Sequence, residues 1–159
     1  ITANQTISQP YTVAYQTQLL EIKKFDKVLE IGTGSAYQAC VLAEMGATVY
    51  SIERQRALYD FVGQFFFIRN YPNIKRFYGD GYLGLPTYAP FDKVIVTAAA
   101  PYVPPKLIEQ LKPGGIAVIP VGDDNGQKML RITKDAEGNI KEEELGDFMF
   151  VPMLQGKNK

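Results

Sequence analysis

Histidine is absent from the 159 residues. Its absence removes the commonest general base, the commonest zinc ligand and any serine–histidine triad. No metal site is therefore expected, and the chemistry of the chain needs no imidazole. Cysteine occurs once, at Cys40. A single thiol cannot form an internal disulfide, which fits a reducing cytoplasm. Its place beside Ala39, Val41 and Leu42 marks it as core filling rather than a nucleophile. Neither sign of charge is in excess, because seventeen basic residues balance seventeen acidic ones. Clusters such as Lys23-Lys24 are too short to grip a polyanion, so nucleic acid is not an expected partner. No apolar run reaches the length of a membrane span, nothing resembles a signal peptide, and repeats and low-complexity segments are missing.

What is present reads as one domain covering residues 1–159, large enough to bury roughly two-thirds of its unfolded surface. Its apolar fraction of 46% and charged fraction of 21% are ordinary for a globular protein. The most informative segment is Lys27 to Gly34, a buried strand running into a two-glycine turn. A helix follows from about residue 36, and a second strand, about 48–52, ends in Glu53. Strand, glycine turn, helix and strand with a terminal acid make the opening unit of a nucleoside-binding α/β domain. Gly32 and Gly34 let a ligand approach bare backbone. Glu53 lies 19 positions after Gly34, where a carboxylate can accept from both hydroxyls of a ribose. A dinucleotide fingerprint would need a third glycine at position 37, which here is Tyr37. The turn thus favours a neutral or cationic adenosine compound such as S-adenosylmethionine over a nicotinamide or flavin nucleotide. A tight βα turn that binds nothing is the alternative.

The remaining chain extends this pattern. The spacing predicts a helix from Ser8-Gln9-Pro10 to about residue 22, a first strand over 27–31 and a helix over 36–45 capped by Gly46. A long aromatic-rich helix is expected over 55–69, its tyrosines and phenylalanines serving the core. Further strands are expected at 74–78, 91–97 and 116–121, with a helix at 104–111 stopped by Lys112-Pro113-Gly114-Gly115. Segments 128–133 and 140–151 read as antiparallel additions at the sheet edge. The fold class is therefore α/β, a doubly wound, mostly parallel sheet with an antiparallel C-terminal edge. Ligands of such sheets bind at the carboxyl ends of the strands. That rule directs attention to Gly32–Ser35, Glu53, Asp80 and Thr97–Ala100.

Several segments appear together and in order: Thr6-Ile7-Ser8-Gln9-Pro10, Val28 to Ser35, Gly79-Asp80-Gly81, Leu107 to Gly115, Ile119-Pro120-Val121-Gly122 and Phe150-Val151-Pro152. Together they resemble the protein-L-isoaspartate O-methyltransferase family over nearly the whole chain. The resemblance implies a Rossmann-like methyltransferase sheet using S-adenosylmethionine, and isoaspartyl peptides and proteins as substrates. It implies that Glu30, Gly32, Gly34 and Ser35 line the amino-acid side of the cofactor. By the same likeness Glu53 holds the ribose, and Asp80 with Gly81 contacts the adenine. Thr6, Ile7 and Ser8 close over the methionine end, with Ser8 as the active residue. Ala98, Ala99 and Ala100 present backbone to the isoaspartyl group, and Val151 and Pro152 form part of the peptide-binding edge. Ser8 could instead cap the first helix, Asp80 could serve an Asp-Gly turn, and Glu30 could be a buried carboxylate that shapes the turn.

Two departures from the family pattern are visible. The turn carries Ala36 where the family usually has glycine, which is harmless at negative φ and strained at positive φ. Family members also carry a helical segment of several tens of residues before the Thr6 block, whereas here five residues precede it; a short form or a fragment is expected. The expected chemistry matches the missing histidine. Methyl transfer from a sulfonium to a carboxylate with a pKa near 4 requires no base, only alignment. A methyltransferase with another acceptor and a non-catalytic remnant are the competing readings.

Overall fold

A computed structural model describes residues 9–159. In chain order these form α1 (Pro10–Leu20), β1 (Lys27–Ile31), α2 (Tyr37–Glu44), β2 (Thr48–Glu53), α3 (Arg56–Gly63), β3 (Ile74–Tyr78), β4 (Phe91–Val96), α4 (Pro105–Glu109), β5 (Leu111–Asp123), β6 (Gly126–Lys134) and β7 (Ile140–Phe148). The strands make one seven-stranded sheet in the order β3-β2-β1-β4-β5-β6-β7. The first five are parallel, β6 adds antiparallel to β5, and β7 adds antiparallel to β6. The expected doubly wound sheet with an antiparallel edge is the observed one.

Strand periodicity divides the core between the two faces of the sheet. Leu29 and Ile31 of β1, with Val94 and Val96 of β4, join Leu107 of α4 on one face. Val28 and Ile95 join Leu19 and Leu20 of α1 and Ala39 and Leu42 of α2 on the other. Each fully buried leucine contributes about 1.5–3 kcal/mol relative to exposure. The carboxyl ends of β1, β2 and β4 are thereby held side by side. β1 pairs in register with both neighbours, Ile31 lying opposite Ile52 and Val96.

Local rules account for most element ends. Gly46 takes φ +93°, its amide donating to Ala43 O while the Ala47 amide donates to Leu42 O. This is a Schellman closure of α2. Two elements differ from expectation for tertiary reasons. The expected 55–69 helix stops at Gly63, with a separate 3₁₀ turn at Phe66–Asn70. Arg76 of β3 donates to Tyr59 O, and a Cβ at Gly63 would lie 2.7 Å from the same guanidinium. Phe66 in that turn is 76% exposed, so the aromatic run is only partly core. Lys112 to Gly115, expected as a breaker, lies inside β5, where the register against β4 slips between Phe91 and Lys93. The slip forms a bulge in place of a stop, with Gly115 packed so closely that a Cβ would meet Asp92 O at 2.8 Å.

Ala36 precedes α2 in the left-handed region, with φ +71° and no solvent exposure. The expectation of strain at positive φ applies. Left-handed backbone costs a non-glycine residue about 1–2 kcal/mol. Glycine would remove that cost, but it would forfeit a buried methyl worth about 0.8 kcal/mol. It would also add about 0.4–1 kcal/mol of unfolded-state entropy. The terms nearly cancel, so Ala36→Gly is expected to change the unfolding free energy by less than about 1 kcal/mol. Ala36→Val, branched and pressed towards Leu58 and Val62, is expected to cost more than about 2 kcal/mol. Urea unfolding of both variants checks this; an unchanged midpoint for the valine variant would refute the left-handed conformation.

Candidate active site

The carboxyl ends of β1, β2 and β4 open onto a cavity of about 890 Å³, including the solvent-filled part at its mouth. The Gly32–Ser35 turn forms its floor, Ile52 and Glu53 one wall, and Thr97 and Ala98 another. The chain's tail, Val151 to Leu154, closes the far side.

Three side chains fix the turn. Thr97 Oγ1 donates to Ile31 O at 3.0 Å and to Gly32 O at 2.8 Å. Glu53 reaches across from β2, with Oε2 accepting from the Gly34 amide at 3.1 Å and Oε1 from the Gln55 amide at 2.9 Å. Thr33 Oγ1 lies 2.6 Å from Ser51 Oγ of β2. Gly32 and Gly34 take φ +93° and +55°, conformations that favour glycine. A Cβ at Gly34 would meet nothing within 4 Å, so the backbone there is bare towards a ligand. Burial pushes the Glu53 carboxyl above the usual range, and the amides of Gln55 and Gly34 pull it back. A carboxylate offers about four lone-pair sites, so two remain for hydroxyl donors after these amides are satisfied.

The expected residues separate into those on the wall and those beside it. Gly32, Gly34, Ser35, Glu53, Gly81, Ala98, Val151 and Pro152 all line the cavity. Thr6, Ile7 and Ser8 lie outside the described residues; the cap position of α1 itself falls on Gln9, whose side chain makes no cap bond. Glu30 is wholly buried and off the wall. Asp80 is also off the wall: Oδ1 accepts from the Tyr82 amide and Oδ2 from the Gly156 amide, both at 2.9 Å, so its carboxylate closes the turn after β3 and ties down the tail. The expectation for Ala99 and Ala100 is corrected. Ala99 donates to Val151 O and accepts from Met153 N, both at 2.7 Å, while Ala100 donates to Pro120 O and accepts from Gly122 N, both at 2.9 Å. Their backbone groups are spent on the tail and on β5, and both residues are buried. Of the three alanines only Ala98 faces the cavity.

Contributors that escaped sequence reasoning include Val13 of α1, Gln38 of α2, Arg54 and Gln55 after β2, and Met153 and Leu154 of the tail. Gln38 donates to Thr17 Oγ1 at 2.8 Å, while Thr17 donates to Val13 O at 2.7 Å, locking α2 to α1. Its place two residues after Ala36, beside the glycine turn, was the available signal. Tail residues carry no local signal, since only long-range pairing brings them to the site. Among the described residues no group of acids and cysteine could hold a metal ion, and no helix is long and apolar enough to cross a membrane.

Comparison with known proteins gives the same assignment. The family model described as protein-L-isoaspartate(D-aspartate) O-methyltransferase matches residues 1–158. Proteins named protein-L-isoaspartate O-methyltransferase from Christiangramia forsetii and Flavobacterium psychrophilum are 56% and 55% identical over 158 residues, covering 99% of this chain and 74% of theirs. A solved protein-L-isoaspartate O-methyltransferase superposes with a TM-score of 0.84 at 26% identity, over 92% of this chain and 47% of that one. A Plasmodium falciparum chain assigned to the same activity, solved with S-adenosyl-L-homocysteine, gives 0.80 at 25% identity, over 97% and 78%. With the glycine turn, the acid at the end of β2 and nearly the whole chain matched, the protein belongs to the protein-L-isoaspartate(D-aspartate) O-methyltransferase family.

Proposed function

We propose that the chain binds S-adenosylmethionine along the carboxyl edge of the sheet and methylates the free carboxylate of isoaspartyl residues in damaged proteins. The observation that carries this reading is the Glu53–Gly34 pairing within the cavity, in a chain matched by the family model almost end to end. The residues fit the group. Gly34 leaves open space where a Cβ would stand, and Glu53 keeps lone pairs for two ribose hydroxyls. Tyr37 stands where a pyrophosphate site would need glycine. When bound, the group would supply a sulfonium methyl for transfer to a carboxylate oxygen, with a neutral thioether as the leaving group.

The chain's own task is then to bind, align and exclude water. Gly32, Gly34 and Ser35 receive the amino-acid end against bare backbone, and Glu53 orients the ribose. Gly81 offers a flat approach for the adenine, where a side chain would collide with Ile31 Cγ2 at 2.3 Å. Ala98, Val151 and Pro152 form the edge that meets the peptide. Resemblance assigns Thr6 and Ile7 to the methionine end and Ser8 to orienting a carboxylate oxygen through its hydroxyl. The acceptor is already ionised at neutral pH, so alignment replaces base catalysis.

The test is methyl transfer from labelled S-adenosylmethionine to an isoaspartyl peptide beside its normal aspartyl twin. Only the isoaspartyl peptide is expected to be labelled, since a one-methylene displacement misaligns the nucleophile by about 1 Å and can cost about a hundredfold. The rate is expected to be flat from about pH 6 to 8 and to fall as the substrate carboxylate protonates near pH 4. In the same assay Ser8→Ala lowers turnover while leaving cofactor affinity unchanged. Equal labelling of the twin, or a rate that titrates near pH 7, would refute the reading.

A further inference from the structure

We propose that Glu30 is a positioning residue for the cofactor turn, acting through the hydroxyls of Ser51 and Thr33 without touching the ligand. Glu30 lies in the middle of the sheet with no solvent exposure. Ser51 Oγ donates to Glu30 Oε1 at 2.5 Å, so the one Ser51 proton is spent, and Thr33 must donate across the 2.6 Å contact to Ser51. The three groups form a directed relay from the turn to the interior, and Ser51 and Thr33 are themselves buried. Thr33 is thereby pinned from below while Glu53 pins Gly34 beside it. Two acids therefore hold consecutive residues of the turn, one through backbone and one through hydroxyls.

At neutral pH the relay ends on an uncharged Glu30. Its second oxygen, Oε2, has no hydrogen-bond partner, and no cation pairs with the residue among the described residues. An unpaired carboxylate in that position would be strongly disfavoured, whereas a neutral carboxyl still accepts from Ser51. The groups that face it add no positive charge. β2 contributes Ser51 and Glu53, α2 contributes the Cys40 thiol, and β4 sets Ile95 beside it. α1 carries no acid or base apart from tyrosines, and the Tyr15 hydroxyl is bonded to Leu145 O. Burial pushes the Glu30 carboxyl from 4.5 up to about 8; the Ser51 hydrogen bond opposes this and the Glu53 charge adds to it. A folded-state value above the unfolded one means that the stabilisation is complete at low pH and is lost as pH rises through about 8.

This role rests on the cofactor reading above, and the experiment separates the two. S-adenosyl-L-homocysteine binding is measured by calorimetry from pH 7 to 9.5 for the wild type, Glu30→Gln, Glu30→Ala and Ser51→Ala. Glutamine presents the same accepting oxygen to Ser51 and cannot ionise. At pH 7 Glu30→Gln is expected to bind within about threefold of wild type, while Glu30→Ala and Ser51→Ala bind at least about tenfold more weakly. Between pH 7 and 9.5 the ratio of wild-type to Glu30→Gln dissociation constants is expected to rise, because a charge buried at Glu30 disfavours the packed turn that receives the ligand, whereas glutamine stays neutral. The ratio cancels any titration of the ligand itself. A flat ratio, or a glutamine variant as weak as the alanine variant, overturns the role of Glu30 and leaves the cofactor reading standing. Wild-type protein that binds at no pH overturns the cofactor reading itself. If Glu30→Ala does not fold, the glutamine and Ser51→Ala variants carry the test.

Discussion

Glu53→Ala is expected to weaken S-adenosyl-L-homocysteine binding by at least about a hundredfold. Charge-assisted hydrogen bonds contribute about 1.5–3 kcal/mol each, and tenfold in affinity corresponds to about 1.4 kcal/mol. The ribose bonds proposed for Glu53 account for one such increment or two. The carboxylate also holds the amides of Gly34 and Gln55, and those donors lose their partner when it is removed. The turn that receives the ligand then loosens together with the wall beside it. Glu53→Gln keeps one accepting oxygen but turns an N–H towards an amide donor, so a loss of about tenfold is expected. Calorimetry showing equal affinity for wild type and the alanine variant would remove Glu53 from the site.

Gly32→Ala carries the largest expected effect on stability. At φ +93° any side chain is strained, and here the added Cβ would sit 2.6 Å from Thr97 Oγ1. Thr97 cannot swing aside cheaply, because its hydroxyl is bonded to Ile31 O and Gly32 O. Backbone strain of about 1–3 kcal/mol and overpacking of a similar size together approach 4 kcal/mol. That is a large share of a typical net stability of about 5–15 kcal/mol. Gly34→Ala makes the opposite case. Its φ of +55° is milder and its Cβ meets no protein atom, so the stability loss is expected near 1 kcal/mol while the methyl intrudes where the ligand lies. Urea unfolding should therefore rank Gly32→Ala as the worse, with cofactor binding at matched folded fraction retained better in it than in Gly34→Ala. Identical unfolding midpoints for Gly32→Ala and wild type would refute the close approach of Thr97.

The first half of the fold was legible because its determinants are local. A strand, two glycines, an amphipathic helix and a terminal acid lie within 27 residues, Lys27 to Glu53, and each follows from periodicity and turn chemistry. Where a distant segment intervenes, local rules stop short. Helix α3 ends where it does because Arg76, a strand away, claims Tyr59 O. Pro113 and the two glycines after it break a helix in isolation, yet beside β4 they are absorbed as a bulge in β5. The site divides the same way. Gly32, Gly34 and Glu53 were visible because their roles follow from neighbours in sequence. The family likeness implied open backbone at Ala99 and Ala100, and only the pairing with Val151 and Pro120 shows that backbone occupied. Glu30 belongs to the turn's chemistry, but through a partner on the adjacent strand that no spacing rule supplies.

The tail gives the site a thermodynamic property that its other walls lack. Val151 to Leu154 close the cavity while being held by Ala99, and the residues after them are held by Asp80 and by Arg54, which donates to Gly156 O at 3.2 Å. These are a few hydrogen bonds on an otherwise irregular segment, with none of the ladder support that β1 and β4 enjoy. Docking of the tail and occupancy of the cavity are therefore linked equilibria. Whatever free energy a ligand gains from contact with that segment is returned, in equal measure, as protection of the segment against local opening.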